Sequence, residues 1–112
     1  MVAEHDDQLV GCVFYRAIDG DHGAAMYVDR LAVLPAARGR GIADRLLAFA
    51  EATARAQQLP ALQLSVRIPL TELHAFYRRR GFEVVATTTH AGYAAPTSLV
   101  FRKPVQPDPS TA

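Results

Sequence analysis

Cysteine is nearly absent: Cys12 is the only one in 112 residues. An internal disulfide framework and a multi-cysteine zinc site are therefore excluded, and the chain suits a reducing compartment, so a cytoplasmic location is expected. Long apolar runs are missing too. None approaches the roughly 20 residues that a bilayer-spanning helix needs. No charged stretch followed by an apolar one opens the chain, so neither a signal peptide nor a membrane partner is expected. No charge of one sign dominates. With 12 Lys and Arg against 11 Asp and Glu the net charge is +1, and no global field calls for nucleic acid. Internal repeats and low-complexity blocks are absent. His5, His22, His74 and His90 show no metal-ligand spacing, so no metal is expected.

What is present is ordinary globular material: half of the residues are apolar and 21% are charged. The length fits a single domain over 1–112, with 1–7 and 104–112 as loose ends. Gln8 to Ile18 reads as a strand rich in Val, Phe, Tyr and Ile. Asp19 to Gly23 is a turn cluster, and Ala24 to Val33 a second strand, so the two predict an antiparallel hairpin. Pro35 stops the second strand. From Gly41 the period changes: Ala43, Leu46, Leu47, Ala50 and Ala54 follow the spacing of an amphipathic helix that Pro60 ends. Ala61 to Ile68 alternates as a third strand. Strand, helix and strand in that order predict a right-handed parallel crossover. Thr71 is placed to cap a second helix, Glu72 to Arg80, with Leu73, Phe76 and Tyr77 as its apolar stripe. Gly81 stands where a left-handed C-terminal cap is wanted. Phe82 to Thr89 and Ser98 to Lys103 read as two further strands.

The segment Arg38-Gly39-Arg40-Gly41-Ile42-Ala43 follows a strand and opens a helix. A helix start exposes N–H groups without intrahelical acceptors and the positive end of the dipole. Two glycines keep side chains away from the backbone, and two arginines add charge. Together these make a site suited to a diphosphate. A P-loop would require Gly-Lys-Ser/Thr at its end, and this turn has Gly-Ile-Ala. A Rossmann fingerprint would require glycine or alanine where Asp44 stands. The alternative on residues alone is a basic loop before an ordinary helix. Tyr77 likewise reads either as a core aromatic or as a functional phenol.

The run Leu31 to Pro35 followed by Arg38, Gly41 and Ala43 resembles motif A of the GNAT superfamily of N-acetyltransferases. The later run Ala75 to Phe82, with Tyr77 shortly before Gly81-Phe82, resembles that family's second signature. The two motifs in register are more specific than either alone, and the resemblance spans roughly residues 8–103 by spacing.

The resemblance implies a mixed α/β fold: a mostly antiparallel sheet with a central parallel strand pair and two flanking helices. It implies an N-acetyltransferase that moves an acetyl group from acetyl-CoA directly to an amine of a small molecule or protein. The strand ending at Val33 would splay from the strand at Leu62–Val66 to admit pantetheine. Backbone groups of Leu31, Ala32 and Val33 would pair with that arm, and the Val33 amide could polarise the thioester carbonyl. N–H groups from Arg38, Gly39, Arg40, Gly41, Ile42 and Ala43 would cradle the pyrophosphate. Tyr77 would deliver a proton to the departing thiolate. Asp29 is a possible general base, although pairing with an arginine or solvation is the preferred reading.

Two departures from the family pattern stand out. Leu70 occupies a position where members often have Asn. Members also usually carry a strand and two helices before the strand that here begins at Gln8. An edge left open there implies a homodimer. The alternative function is a non-catalytic acyl-CoA-binding or sensor module. Cys12 reads as a small apolar strand residue.

Overall fold

A computed structural model of the chain describes residues 2–5, 8–33 and 41–106. They divide into two compact units, one formed by Met1–Leu62 with Val105–Ala112 and the other by Gln63–Pro104. The mixed α/β class expected from the sequence is the one found, with mostly antiparallel strands, a parallel pair and two helices. No helix among the described residues is long and apolar enough to cross a membrane.

The first unit holds β1 (Val2–His5), β2 (Gln8–Gly20), β3 (Gly23–Val33), α1 (Ile42–Ala56) and the start of β4 (Ala61–Arg67). β2 and β3 form the predicted hairpin, closed by Asp21-His22 between the paired Gly20 and Gly23. Gly23 has φ 93°, a backbone state that glycine adopts at little cost. The opening residues, expected to be loose, instead form β1. It runs antiparallel to β2 with Val2 opposite Cys12, so the edge expected to be open at Gln8 is covered there. The other expected loose end is tied down at its start as well. Val105 is buried, its N–H donates to the Pro60 carbonyl at 2.8 Å, and Arg55 Nε donates to the Gln106 carbonyl at 2.9 Å.

α1 buries Ile42, Leu46, Leu47, Ala50 and Ala54 and packs on β2 and β3. Ile42 is the buried member of the first turn, and Ala43, assigned to the stripe from its spacing, is only half-buried. Val13, Met26 and Val28 are the buried apolar residues on the face of the strands that it covers. The helix ends four positions before Pro60, which was expected to stop it. Leu59 N–H donates to the Ala54 carbonyl at 2.8 Å and Gln58 N–H to the Arg55 carbonyl at 3.1 Å. That pair of bonds is a Schellman cap, and it places Gln58 in the left-handed region at φ 59°. Because the residue at the turning point is not glycine, the sequence gives no sign of it.

The second unit holds the rest of β4, α2 (Thr71–Arg79), β5 (Glu83–Thr88) and β6 (Ser98–Pro104), with β6 between β4 and β5. Thr71 does not cap α2. Leu70 takes that position without a side-chain bond. Its φ of −85° and ψ of 63°, with Thr71 N–H on the Pro69 carbonyl at 3.0 Å, make an inverse γ-turn. The inward face of α2 is also shifted from the expected one. His74 and Tyr77 are buried, Phe76 is half-buried and Leu73 is 42% exposed. His74 explains the rotation: its Nε2–H donates to the Arg67 carbonyl at 3.0 Å and its ring lies on Phe101. An apolar count along the helix undervalues a histidine that finds both a carbonyl and a ring. β5 leaves both Val84 and Val85 partly exposed, as a strand at the end of the order would. The loop before β6 is closed by Thr97, whose N–H donates to the Thr88 carbonyl at 2.8 Å. Its Oγ1 accepts the His90 N–H and also meets His90 Nδ1.

The left-handed Gln58 yields a stability test. A side chain there costs roughly 1–2 kcal/mol relative to glycine. Gln58→Gly is expected to raise the unfolding free energy by about 1 kcal/mol, read as a higher urea midpoint with an unchanged slope. An unchanged or lower midpoint would contradict the cap.

Candidate functional site

Two backbone segments of the first unit carry the residues singled out by motif. Leu31, Ala32 and Val33 end β3, with Ala32 opposite Cys12 and Val33 opposite Gly11. Gly41, Ile42 and Ala43 open α1. Arg38, Gly39 and Arg40 lie outside the described residues. Gly41 has φ 73° and ψ 14°, and its carbonyl accepts the first helical bond from Arg45 N–H at 3.1 Å. The N-cap residue makes no side-chain hydrogen bond to this end of α1. The left-handed glycine therefore turns the chain into the helix and leaves the space before the first-turn amides clear of its own side chain. A Cβ added to Gly41 would meet nothing within 4 Å, so glycine is required by conformation and not by crowding.

Upstream on β3 the pairing slips. Phe14 faces Arg30 while Tyr15 faces Val28, which makes Asp29 the extra residue of a bulge. Asp29 and Arg30 are consecutively exposed where strict alternation would bury one of them. The Asp29 carboxylate accepts from Arg16 Nε at 3.0 and 3.1 Å, and Arg16 Cζ lies 5.1 Å from the centre of the Tyr27 ring. The arginine pairing expected for Asp29 is thus the arrangement found. At this exposure the pair contributes little to stability.

Tyr77 is held in the second unit by the end of its own helix. Gly81 has φ 91°. Phe82 N–H donates to the Tyr77 carbonyl and Gly81 N–H to the Arg78 carbonyl, both at 3.1 Å. These are the bonds of a Schellman cap, and the contact that accompanies it is aromatic: the Tyr77 and Phe82 rings sit 5.4 Å apart, edge to face. Tyr77 also touches Phe76 and Phe101 and is 7% exposed. The spacing of tyrosine, glycine and phenylalanine in that run therefore has a local cause, since the last two form the cap that fixes the first. Tyr77 is a core aromatic in its ring. Its hydroxyl is not stranded, because no buried side-chain oxygen among the described residues lacks a partner.

Burial pushes the Tyr77 phenol above its usual value near 10, and the Arg80 guanidinium opposes this only in part. Tyr77 therefore stays protonated across the neutral range. Two of the three consecutive arginines that follow Tyr77 have local partners. Arg80 Nη1 donates to the Phe76 carbonyl at 2.9 Å with its Cζ 3.5 Å from the Phe76 ring centre, and Arg78 lies over Phe101. Leu70, which stands where Asn was looked for, is 47% exposed in its γ-turn. Cys12 is a half-buried free thiol on β2. Among the described residues no group of three His, Cys, Asp or Glu could hold a metal ion. The bulge at Asp29 and the role of Gly11 were not anticipated. A glycine inside an otherwise apolar strand was the available signal for the latter.

Comparison with known proteins bears on this geometry. Residues 1–84 match the family model described as an acetyltransferase (GNAT) domain. A Salmonella typhimurium aminoalkylphosphonate N-acetyltransferase is 39% identical over 56 residues, a match that takes in 50% of this chain and 36% of that relative. The chain thus spans about a third of that curated relative. Arabidopsis thaliana Naa50, solved with the bisubstrate analogue CoA-Ac-MVNAL, superposes with a TM-score of 0.76 at 26% identity, covering 91% of this chain and 70% of its own. A Thermoplasma acidophilum N-acetyltransferase solved with coenzyme A gives a TM-score of 0.76 at 21% identity, covering 92% and 58%, and speaks for the fold.

Two measurements check the local geometry. Gly41→Val is expected to cost roughly 1–2 kcal/mol for a left-handed β-branched residue, and Gly41→Asn distinctly less, by urea unfolding. Equal losses would contradict the left-handed turn. The second follows from Tyr77. Its folded pKa exceeds the unfolded one, so its neutral form contributes stability fully below pH about 10 that is lost as pH rises through the folded value. Tyr77→Phe is therefore expected to flatten the alkaline fall in melting temperature above about pH 10. An identical fall in both proteins would contradict the raised phenol.

Proposed function

We propose that this chain, which belongs to the GNAT acetyltransferase family, is an N-acetyltransferase that moves an acetyl group from acetyl-CoA to an amine. The observation that carries the reading is the start of α1. A left-handed glycine, which has no capping side chain, opens a helix soon after a strand end, in a chain whose first 84 residues match that family. The amides from Arg38, Gly39, Arg40, Gly41, Ile42 and Ala43 bind the pyrophosphate, where the dipole and unsatisfied donors of a helix start favour an anion. The backbone of Leu31, Ala32 and Val33 pairs with the pantetheine arm as an added strand would.

In this reading the amine nitrogen attacks the thioester carbonyl carbon and forms a tetrahedral intermediate. The Val33 N–H donates to its oxyanion. The intermediate collapses with cleavage of the C–S bond. The electron pair leaves on sulfur, and Tyr77 gives its hydroxyl proton to that thiolate. Burial keeps the phenol neutral, so its proton is available as the C–S bond breaks; the transfer to a free thiolate is uphill, and the phenolate regains its proton from water. The nitrogen loses its proton to water. Asp29 is not assigned that task, because its carboxylate is held by Arg16.

The acceptor is an amine of a small molecule or of a protein. Both kinds are represented among the proteins it resembles, by an aminoalkylphosphonate N-acetyltransferase and by a protein solved with a peptide-bearing CoA analogue. The reading includes a single catalytic domain and a cytoplasmic location, no metal, and no nucleic-acid or membrane partner; the homodimer expected from an open edge at Gln8 loses that ground, since β1 covers the edge.

Acetyl-CoA at millimolar concentration is expected to raise the melting temperature, since a ligand that binds only the folded state stabilises it. The absence of any shift would refute binding altogether. Thiol release with a panel of amines then separates an enzyme from a sensor. Tyr77→Phe is expected to slow that release on the order of 100-fold while preserving the thermal shift. Full turnover in this variant would remove Tyr77 from the reaction.

A further inference from the structure

Gly11 sits in β2 between two partners, opposite Ala3 of β1 and Val33 of β3. It is buried, and its missing side chain is required. A Cβ built there would stand 2.9 Å from the Ala32 carbonyl oxygen, 3.2 Å from Ile42 Cγ2 and 3.3 Å from Leu46 Cδ1. The first distance is shorter than a real Cβ contact, and the atom it meets is backbone, which cannot rotate away. The other two are the buried side chains of the first turns of α1. One hydrogen atom on Gly11 thus occupies a place that the end of β3 and the start of α1 both approach.

We propose that Gly11 is a positioning residue for the cosubstrate: by lacking a side chain it sets the distance between the backbone of Leu31–Val33 and the opening amides of α1. This rests on the acyl-CoA reading of those two segments and deepens it. The pantetheine contacts and the pyrophosphate contacts belong to one molecule, so their separation is fixed by that molecule. A methyl on Gly11 must push the Ala32 carbonyl, the Ile42–Leu46 face, or both. Either shift changes the separation without touching the ligand. Four other glycines do not share this property. Gly20, Gly41 and Gly92 would place a Cβ in open space, and Gly81 would meet only the flexible chain of Lys103.

The test is titration calorimetry with coenzyme A on the wild type, on Gly11→Ala, and on Val100→Ala, a core truncation in the other unit chosen to lower the melting temperature. Gly11→Ala is expected to weaken coenzyme A binding about tenfold and to raise KM for acetyl-CoA in step, because misplacement of this size is felt strongly in aligned contacts. Its kcat is expected to fall as well, because the Ala32 carbonyl shares a peptide plane with the Val33 N–H that meets the oxyanion. Val100→Ala is expected to keep wild-type affinity. Gly11→Ala with Ile42→Ala, which removes the crowded Cγ2, is expected to recover part of the affinity and serves if the single variant does not accumulate. Wild-type affinity in Gly11→Ala, an equal loss in Val100→Ala, or no recovery in the double variant would each overturn the positioning role. Absence of binding by the wild type would overturn the acyl-CoA reading itself, and the role with it.

Discussion

The close seat of α1 on β2 and β3 is the constraint on which the first unit depends. It is made in part by small residues: Gly11, Ala50 and Ala54 are all buried, and the two alanines are completely enclosed. With side chains this short the helix lies near the strands, and Ile42, Leu46 and Leu47 fill what remains together with Val13, Met26 and Val28. Interiors packed at this density transmit a displaced methyl and do not absorb it. The start of the helix is consequently fixed by its packing as well as by its turn. Gly41 sets the direction in which the chain enters the helix, and Gly11 sets how near that entry lies to the end of β3.

The second unit follows a different logic, in which a helix end replaces a helix start. Gly81 closes α2 in the left-handed state, and Phe82 then folds back on Tyr77. Phe101 lies under the group and also carries His74 and Arg78. His74 ties the helix to the last residue of β4 through the Arg67 carbonyl. Tyr77 is therefore held by aromatic faces and by its own backbone. That is the arrangement a proton donor requires: a ring with little freedom, and a hydroxyl whose proton is retained because the surroundings disfavour the phenolate. Under the proposed reaction, a core aromatic and a functional phenol are not competing descriptions of this residue.

Some features that motif reading treats as signatures have plain mechanical causes here. The tyrosine, glycine and phenylalanine spacing is a helix cap with its usual contact. Two of the three arginines after Tyr77 are absorbed by the Phe76 and Phe101 rings and a carbonyl of α2. The exposed pairing of Arg16 with Asp29 takes up the one acidic residue on β3. Each of these gives the residues concerned a structural cause that a motif alone does not show.

The sequence by itself determined the order of elements, the β2–β3 hairpin, the helix that starts at Gly41, the cap at Gly81 and the family. Periodicity, left-handed glycines and short-range spacing are local quantities, and local quantities are written in consecutive residues. It did not determine the strand at Val2–His5, whose stability comes from pairing with β2. Nor did it determine the left-handed turn at Gln58, the inward rotation of α2 onto His74, or the bulge that sets Asp29 outside the register. Each of these is chosen by a partner distant in the chain: a neighbouring strand, a carbonyl in another element, or a ring beneath the helix. Gly11 shows the division most clearly. Its identity was visible from the start, but its meaning is a distance of 2.9 Å to a carbonyl that the hairpin alone brings near.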